Sequence, residues 1–384
     1  MDRVYCATCQ LISSKRKFVD GTIPPASFFN QVQEELLYCI ENSGETPKEW
    51  DTSQVLQSIY KNISPKIYDN FKAHAISEVW TERANPKNLF LFGVCYSGSL
   101  FVAVGPGDGF SDSYIVTSYD GITWTERVSP STNTLFSVCW SGSLFVAVGQ
   151  SDVDAYIITS SNGIDWTERI NPQNISLFGI CWSSELSLFV AVGDPGADTY
   201  IVTSPNGITW TERAHPVTAR LTSVCWSSSL SLFVAVGVAD GVDANIITSP
   251  NGINWTERAN PKNIHLYGIC WSSSLNLFVA CGEADGTDAY IVTSPDGVVW
   301  TERANPKNFY LHSVCWSDSF FVAVGNADGV DAYVVISYDG ITWIEKRNPK
   351  NFILYDVCWS DSFFVAVGAG DGTDSYIVNS LRCY

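Results

Sequence analysis

From residue 79 onward the chain repeats one hydrophobic pattern, best seen across 264–303. There IHLYGICWSSS is followed by LNLFVACG, then EADGTDAYIVTS, then PDGVVWTER. Each unit holds four short runs rich in β-branched and aromatic residues, separated by Gly, Ser, Asn, Asp or Pro, so four strands are predicted per unit. We name them a (Leu-x-x-Val-Cys-Trp), b (Leu-Phe-Val-Ala-Val-Gly), c (Tyr-Ile-Val-Thr-Ser) and d (Ile-Thr-Trp-Thr-Glu-Arg). Runs a to c are almost continuously apolar, as expected of strands covered on both faces, while d alternates like an outer strand with one wet side. The marker tryptophans of strand d are Trp80, Trp124, Trp166, Trp210, Trp255, Trp300 and Trp343, spaced 44, 42, 44, 45, 45 and 43 apart. A period in the low forties with four strands per unit predicts a β-propeller.

The tally of strands predicts how the ring closes. Strand a recurs seven times, at Cys95, Cys139, Cys181, Cys225, Cys270, Cys315 and Cys358. Strand d also recurs seven times, but its first copy precedes any strand a, and Tyr384 follows the last strand c by only four residues. The expected architecture is therefore mainly β, a seven-bladed propeller over 79–384 whose last blade is completed by the N-terminal strand 79–83. Such a latch removes the open edges of the array.

The strand-a cysteines are seven of the chain's 12. Equivalent positions of neighbouring blades are expected to lie too far apart for a disulfide, so these read as small apolar thiols. Cys6 and Cys9 form a lone CxxC with no second ligand pair at zinc-binding distance. The 384 residues carry a net charge of −18, which argues against nucleic acid, and no apolar run approaches the roughly 20 residues that span a membrane. The N-terminus has no secretory pattern, so the chain is expected in a cytosol, or released without a signal.

Residues 1–78 differ in kind. They hold 8 basic and 10 acidic side chains, so nearly all the charge belongs to the repeats. After Pro24-Pro25, the series Phe28, Phe29, Val32, Leu36, Leu37, Ile40 has helical spacing and ends at Gly44. Asp51 would cap a second helix carrying Val55, Ile59 and Ile63. A small helical module is expected.

Three features bear on function. The c–d turns, such as Ser118-Tyr-Asp-Gly-Ile-Thr-Trp124, are hairpins in which Asp/Asn-Gly accepts positive φ. The acidic b–c turns end on Asp243, Asp288, Asp331 and Asp374, in Asp-Gly-x-Asp strings that would either take Ca²⁺ or serve as charged Gly turns; no other cofactor is suggested. Just before the Leu that opens every strand a stand Phe90, Thr134, Ser176, Arg220, His265, Tyr310 and Ile353. A column this varied in so regular a repeat is expected at the open central mouth. Phe90, Arg220, His265 and Tyr310 suit a sugar, by stacking and by bonding hydroxyls or a carboxylate.

Two resemblances add to this. The c–d turn is similar to the Asp-box of sialidase-type propellers, one residue shorter, where the box is structural. That family's hydrolysis would need three convergent arginines, whereas Arg83, Arg127, Arg169, Arg213, Arg258 and Arg303 all lie in strand d. The segment Gly21-Thr-Ile-Pro-Pro-Ala-Ser-Phe-Phe-Asn-Gln-Val-Gln-Glu-Glu-Leu-Leu37, with Gly44-Glu-Thr-Pro47 and Asp51-Thr-Ser-Gln-Val-Leu-Gln-Ser-Ile59, resembles an N-terminal module of phage and prophage tail fibres. The resemblance implies a virion protein that meets other tail proteins through 1–78 and is present in the host cytoplasm during assembly. Its propeller would bind a host-surface glycan or protein without catalysis. A sialidase-type hydrolase and a purely structural virion scaffold are the alternatives.

Overall fold

The computed structural model describes residues 80–380, except 108–112, 131, 152–154, 196–198, 215, 217, 240, 242–243, 371 and 373–374. The chain divides into two units near residue 73, and all described residues belong to the second. The expected N-terminal helices, Cys6 and Cys9 lie outside the described residues.

The described chain forms seven four-stranded antiparallel sheets. Six run a-b-c-d in chain order, as in blade 5: Leu266–Ser272, Leu277–Ala284, Ala289–Ser294 and Thr301–Arg303. The seventh takes strands a to c from Leu354–Trp359, Phe364–Gly370 and Ser375–Ser380, and its strand d from Trp80–Arg83. Trp80 pairs with Ser380 and Arg83 with Ile377, so the two ends of the propeller share one sheet. No helix among the described residues is long and apolar enough to cross a membrane.

Strand c and the middle of strand b are buried because each sheet is covered by the next, and the core lies between blades rather than within one layer. Cys225 of blade 4, for example, packs with Leu266, Ile269 and Phe278 of blade 5. All seven strand-a thiols are free. They are not uniformly buried, however: Cys358 is, while the other six keep partial surface near the inner edge of the ring. Protein crowds every one of them, and this burial, with neighbouring thiols adding to it at several positions, holds them well above the ordinary thiol range.

The repeated strings fit repeated bonds. In the c–d turn of blade 5, Gly297 sits at φ +74°, and its amide donates to Ser294 Oγ at 2.8 Å. Asp296 Oδ1 accepts the Val298 and Val299 amides at 2.8 and 3.0 Å. Strand-d arginines are tied to strand c: Arg258 Nε donates to Thr248 Oγ1 at 2.9 Å, and Arg303 Nε to Thr293 Oγ1 at 2.8 Å. Where strand c carries Ile336 in place of Thr, strand d carries Lys346 in place of Arg. The strand-d arginines are thus accounted for at the outer edge of their sheets.

The Asn-Pro-Lys-Asn links stitch blades together. Asn260 accepts the buried Tyr290 hydroxyl at 2.5 Å, and Asn263 Oδ1 accepts the Gly241 amide at 3.2 Å. Lys262 Nζ donates to Asp285 at 2.6 Å and also contacts Glu302.

Candidate functional site

The d–a links and b–c turns share one face, and there the first residue before each strand a meets the end of strand b. In blade 5 the Glu283 amide donates to the His265 carbonyl at 2.9 Å. Gly282 makes this approach feasible, since a Cβ there would lie 1.9 Å from that carbonyl oxygen. Equivalent bonds fix Thr134, Ser176, Arg220, Tyr310 and Ile353. The varied column therefore rims the inner end of the ring on this face.

A second varied column lies one step further along, just past each Leu: Phe92, Phe136, Phe178, Thr222, Tyr267, His312 and Tyr355. In blades 2 to 7 the register between strands a and b slips at this residue, as between Leu266 and Gly268. A bulge leaves its extra residue unpaired and re-aims the side chain. Freed from the ladder, these side chains meet one another across successive innermost strands. Ring centroids lie 4.8 Å apart for Phe136–Phe178, 5.8 Å for Phe92–Phe136 and 5.1 Å for Phe92–Tyr355. They are 5.4 Å apart for His312–Tyr355 and 5.7 Å for Tyr267–His312. Six rings thus form a collar about the axis, interrupted only at Thr222, whose hydroxyl lies 2.8 Å from the Leu266 carbonyl and 3.1 Å from that of Val236.

The rim residues rest on this collar, mostly leaning toward the preceding blade. Arg220 lays its guanidinium 4.5 Å from the Phe178 centroid, and its Nε donates to Asp194 at 2.6 Å. His265 Nδ1 accepts the Ala239 amide at 2.8 Å, and its Nε2 lies 3.7 Å from Glu283 Oε2. Tyr310 donates its hydroxyl to Glu283 Oε1 at 2.7 Å, which holds the phenol proton and raises its pKa. Phe90, 43% exposed, packs on Phe92 and Tyr355. Of the four residues expected at the mouth, His265 and Tyr310 therefore meet through Glu283, while Arg220 turns toward Asp194 and Phe90 lies on the apolar side. Asp194, Glu283, His312 and the collar escaped the sequence reading. Variation at the residue after Leu was the available signal, but its meaning depends on the bulge.

Beneath the collar, the next column is Gly93, Ser137, Gly179, Ser223, Gly268, Ser313 and Asp356. Asp356 accepts Ser313 Oγ at 2.6 Å, the Val94 amide at 2.8 Å and the Val357 amide at 2.9 Å, tying blades 6, 7 and 1. The residue keeps some accessible surface, yet protein crowds its carboxyl from all sides, and crowding governs ionisation. Burial lifts its pKa to about 6 against these three donors. Burial likewise lowers that of His312, with Asn326 Oδ1 at 2.7 Å opposing it.

The acidic b–c turns lie on the same face, in blade 5 two residues beyond Glu283. Asp243 and Asp374 lie outside the described residues. Asp288 Oδ2 accepts the Asn305 amide at 2.8 Å, and Asp331 Oδ2 the Asn348 amide at 3.1 Å. Carboxylates of Asp285, Asp288 and Glu302, and of Asp328, Asp331 and Glu345, cluster within 4.8 Å. Lysine already supplies the cation in each: Lys262 holds Asp285 down to about 2, and Lys307, overcoming the opposing effect of burial, holds Asp328 there too. These turns are capped Gly turns in which one ammonium group offsets part of the charge of three carboxylates.

No family model matches the chain, and no curated protein matches it. Among solved structures, virginiamycin B lyase from Staphylococcus aureus is similar over 79% of this chain and 99% of its own, at 12% identity and TM-score 0.64. A GH74 enzyme from Niastella koreensis is similar over 76% of this chain but 53% of its own, at 13% identity and TM-score 0.59. The WD40 β-propeller domain of Doa1 matches over 79% and 97%, at 15% identity and TM-score 0.56. At such identities the likeness concerns fold alone: the chain shares the propeller architecture with enzymes and with a WD40 domain.

Proposed function

We propose that the propeller is the receptor-binding part of a tail-fibre-like protein and takes a host-surface glycan at its axial mouth. The observation that carries this reading is the contrast between columns. Turn, link and outer-strand residues recur because each makes the same bond in blade after blade, whereas rim and collar differ from blade to blade and gather aromatic, imidazole, guanidinium and carboxylate groups at one end of the axis. A concave aromatic surface with a few converging polar groups is the usual form of a sugar site. The resemblance of residues 21–59 to tail-fibre modules supplies the virion setting.

Purified protein, or virions carrying it, should adsorb to host cells through this mouth. Replacing Arg220, His265 and Tyr310 together by alanine removes contacts worth on the order of 1–3 kcal/mol each when desolvated, so adsorption should fall at least a hundredfold. Unchanged adsorption by a folded triple variant would move the receptor site elsewhere. Sugar released from host envelopes would instead favour the hydrolase reading. A folded protein that neither adsorbs nor releases sugar would favour the scaffold.

A further inference from the structure

The proposed glycan reading leaves open what kind of sugar the mouth selects. We infer that it selects a neutral, hydroxyl-rich sugar ring over an acidic one, an inference that rests on the glycan reading.

The two sides of the mouth differ in chemistry. Blades 7, 1 and 2 contribute Ile353, Tyr355, Phe90, Phe92 and Phe136, an aromatic and aliphatic arc suited to the C–H face of a pyranose. Blades 3 to 5 contribute Asp194, Arg220, His265 and Glu283. With Nδ1 of His265 accepting from Ala239, its proton sits on Nε2, and Glu283 Oε2 at 3.7 Å is beyond hydrogen-bonding distance. Glu283 has used Oε1 on Tyr310 and keeps Oε2 to accept. Arg220 has used Nε on Asp194, and its terminal nitrogens have no partner among the described residues. The arc thus sets free donors beside a free acceptor. A hydroxyl both donates and accepts, so adjacent hydroxyls match it.

A carboxylate does not match. The one full positive charge of the mouth, on Arg220, is already met by Asp194 at 2.6 Å, and Glu283 adds an unopposed negative charge. An acidic sugar would meet a guanidinium whose charge Asp194 already offsets and would face Glu283, at a cost in electrostatic repulsion. The gap in the collar gives the hydroxyl edge its place: Thr222 is the position without a ring, between Phe178 and Tyr267, in the column just below Arg220 and His265 of the rim.

The test uses the full chain and a panel of galactose-, glucose- and mannose-terminated glycans set against sialic acid- and glucuronic acid-terminated counterparts at physiological salt. Wild type should bind at least one neutral glycan at least tenfold more tightly than every acidic one. Asp194→Asn releases Arg220, and should narrow that preference tenfold by strengthening acidic binding. Thr222→Tyr completes the collar with a ring that six sister positions already hold; it should fold with little change in Tm and lose binding at least tenfold. A wild-type preference for acidic glycans, or an unaltered preference in Asp194→Asn, overturns the inference and leaves the glycan reading intact. Failure to bind any glycan overturns both.

Discussion

Deleting residues 1–83 removes the strand that closes the ring, whereas deleting 1–75 leaves it in place. Trp80 is 4% exposed and packs on Phe364 with centroids 6.4 Å apart, and burial of this kind is worth about 3–5 kcal/mol. The pairing of Trp80–Arg83 with Ile377–Ser380, together with the bond from Arg83 Nε to Asn379 Oδ1 at 2.8 Å, adds a few hydrogen bonds of about 1 kcal/mol each. The ion pair of Glu82 with Lys350 is partly exposed and adds little. Together these come to roughly 6–8 kcal/mol, a large share of ordinary domain stability. A ring of roughly 300 residues has a melting entropy near 0.6 kcal/mol per kelvin, so the longer truncation should melt about 10–13 °C below the shorter. In the full chain, Trp80→Ala alone should lower Tm by about 5–8 °C. Scanning calorimetry of the two truncations, the Trp80→Ala variant and the wild type is the assay. Equal melting temperatures for the two truncations would show that residues 80–83 do not hold the ring shut.

Two further outcomes are expected. Burial raises the Asp356 carboxyl to about 6, so the folded state binds its proton more tightly than the unfolded chain does; its cost is absent below about pH 4, grows as pH rises, and is complete above about 6. Asp356→Ser should therefore gain in Tm relative to wild type from pH 4 to pH 7, and a pH-independent difference would refute the assignment. Because lysines occupy the acidic turns, 10 mM Ca²⁺ (about ten times a weak site's dissociation constant) should leave wild-type Tm unchanged, while Lys262→Met with Lys307→Met should gain about 1.4 kcal/mol per restored site. Wild-type stabilisation by Ca²⁺ would contradict the lysine closure.

The fold was legible because each level of the sequence reports the same unit. Period, strand patterning and turn chemistry all repeat in the low forties, and the unmatched first strand d leaves its partner only in the last blade. Even the substitutions are consistent, as when Ile336 and Lys346 change together across one sheet. Cysteine burial was read too simply: the Leu-x-x-Val-Cys-Trp run looks uniformly apolar, but at the inner edge of the ring neighbouring strands leave most of these thiols some surface. The lysine closure of the acidic turns was hidden for another reason. Lys262 and Asp285 lie in different turns, 23 residues apart, and nothing in either string announces the other.

The mouth was half legible, and the missing half has a single geometric cause. Strand a, read as an apolar run covered on both faces, put the residue after each Leu in the inter-blade core. The register slip undoes that placement. In blades 2 to 7 it lifts Phe136, Phe178, Tyr267, His312 and Tyr355 out of the inter-blade core and lets them touch, with Phe92, around the axis. Asp194 and Glu283 were missed because they follow the strand-b glycine, in a stretch that reads as a turn, and reach the rim only because that glycine lets strand a approach. What the repeat holds constant is therefore the frame. What it leaves free is gathered, by a glycine in each blade and a bulge in blades 2 to 7, into one asymmetric surface at the axis, where an apolar arc faces an arc of free donors and a free acceptor.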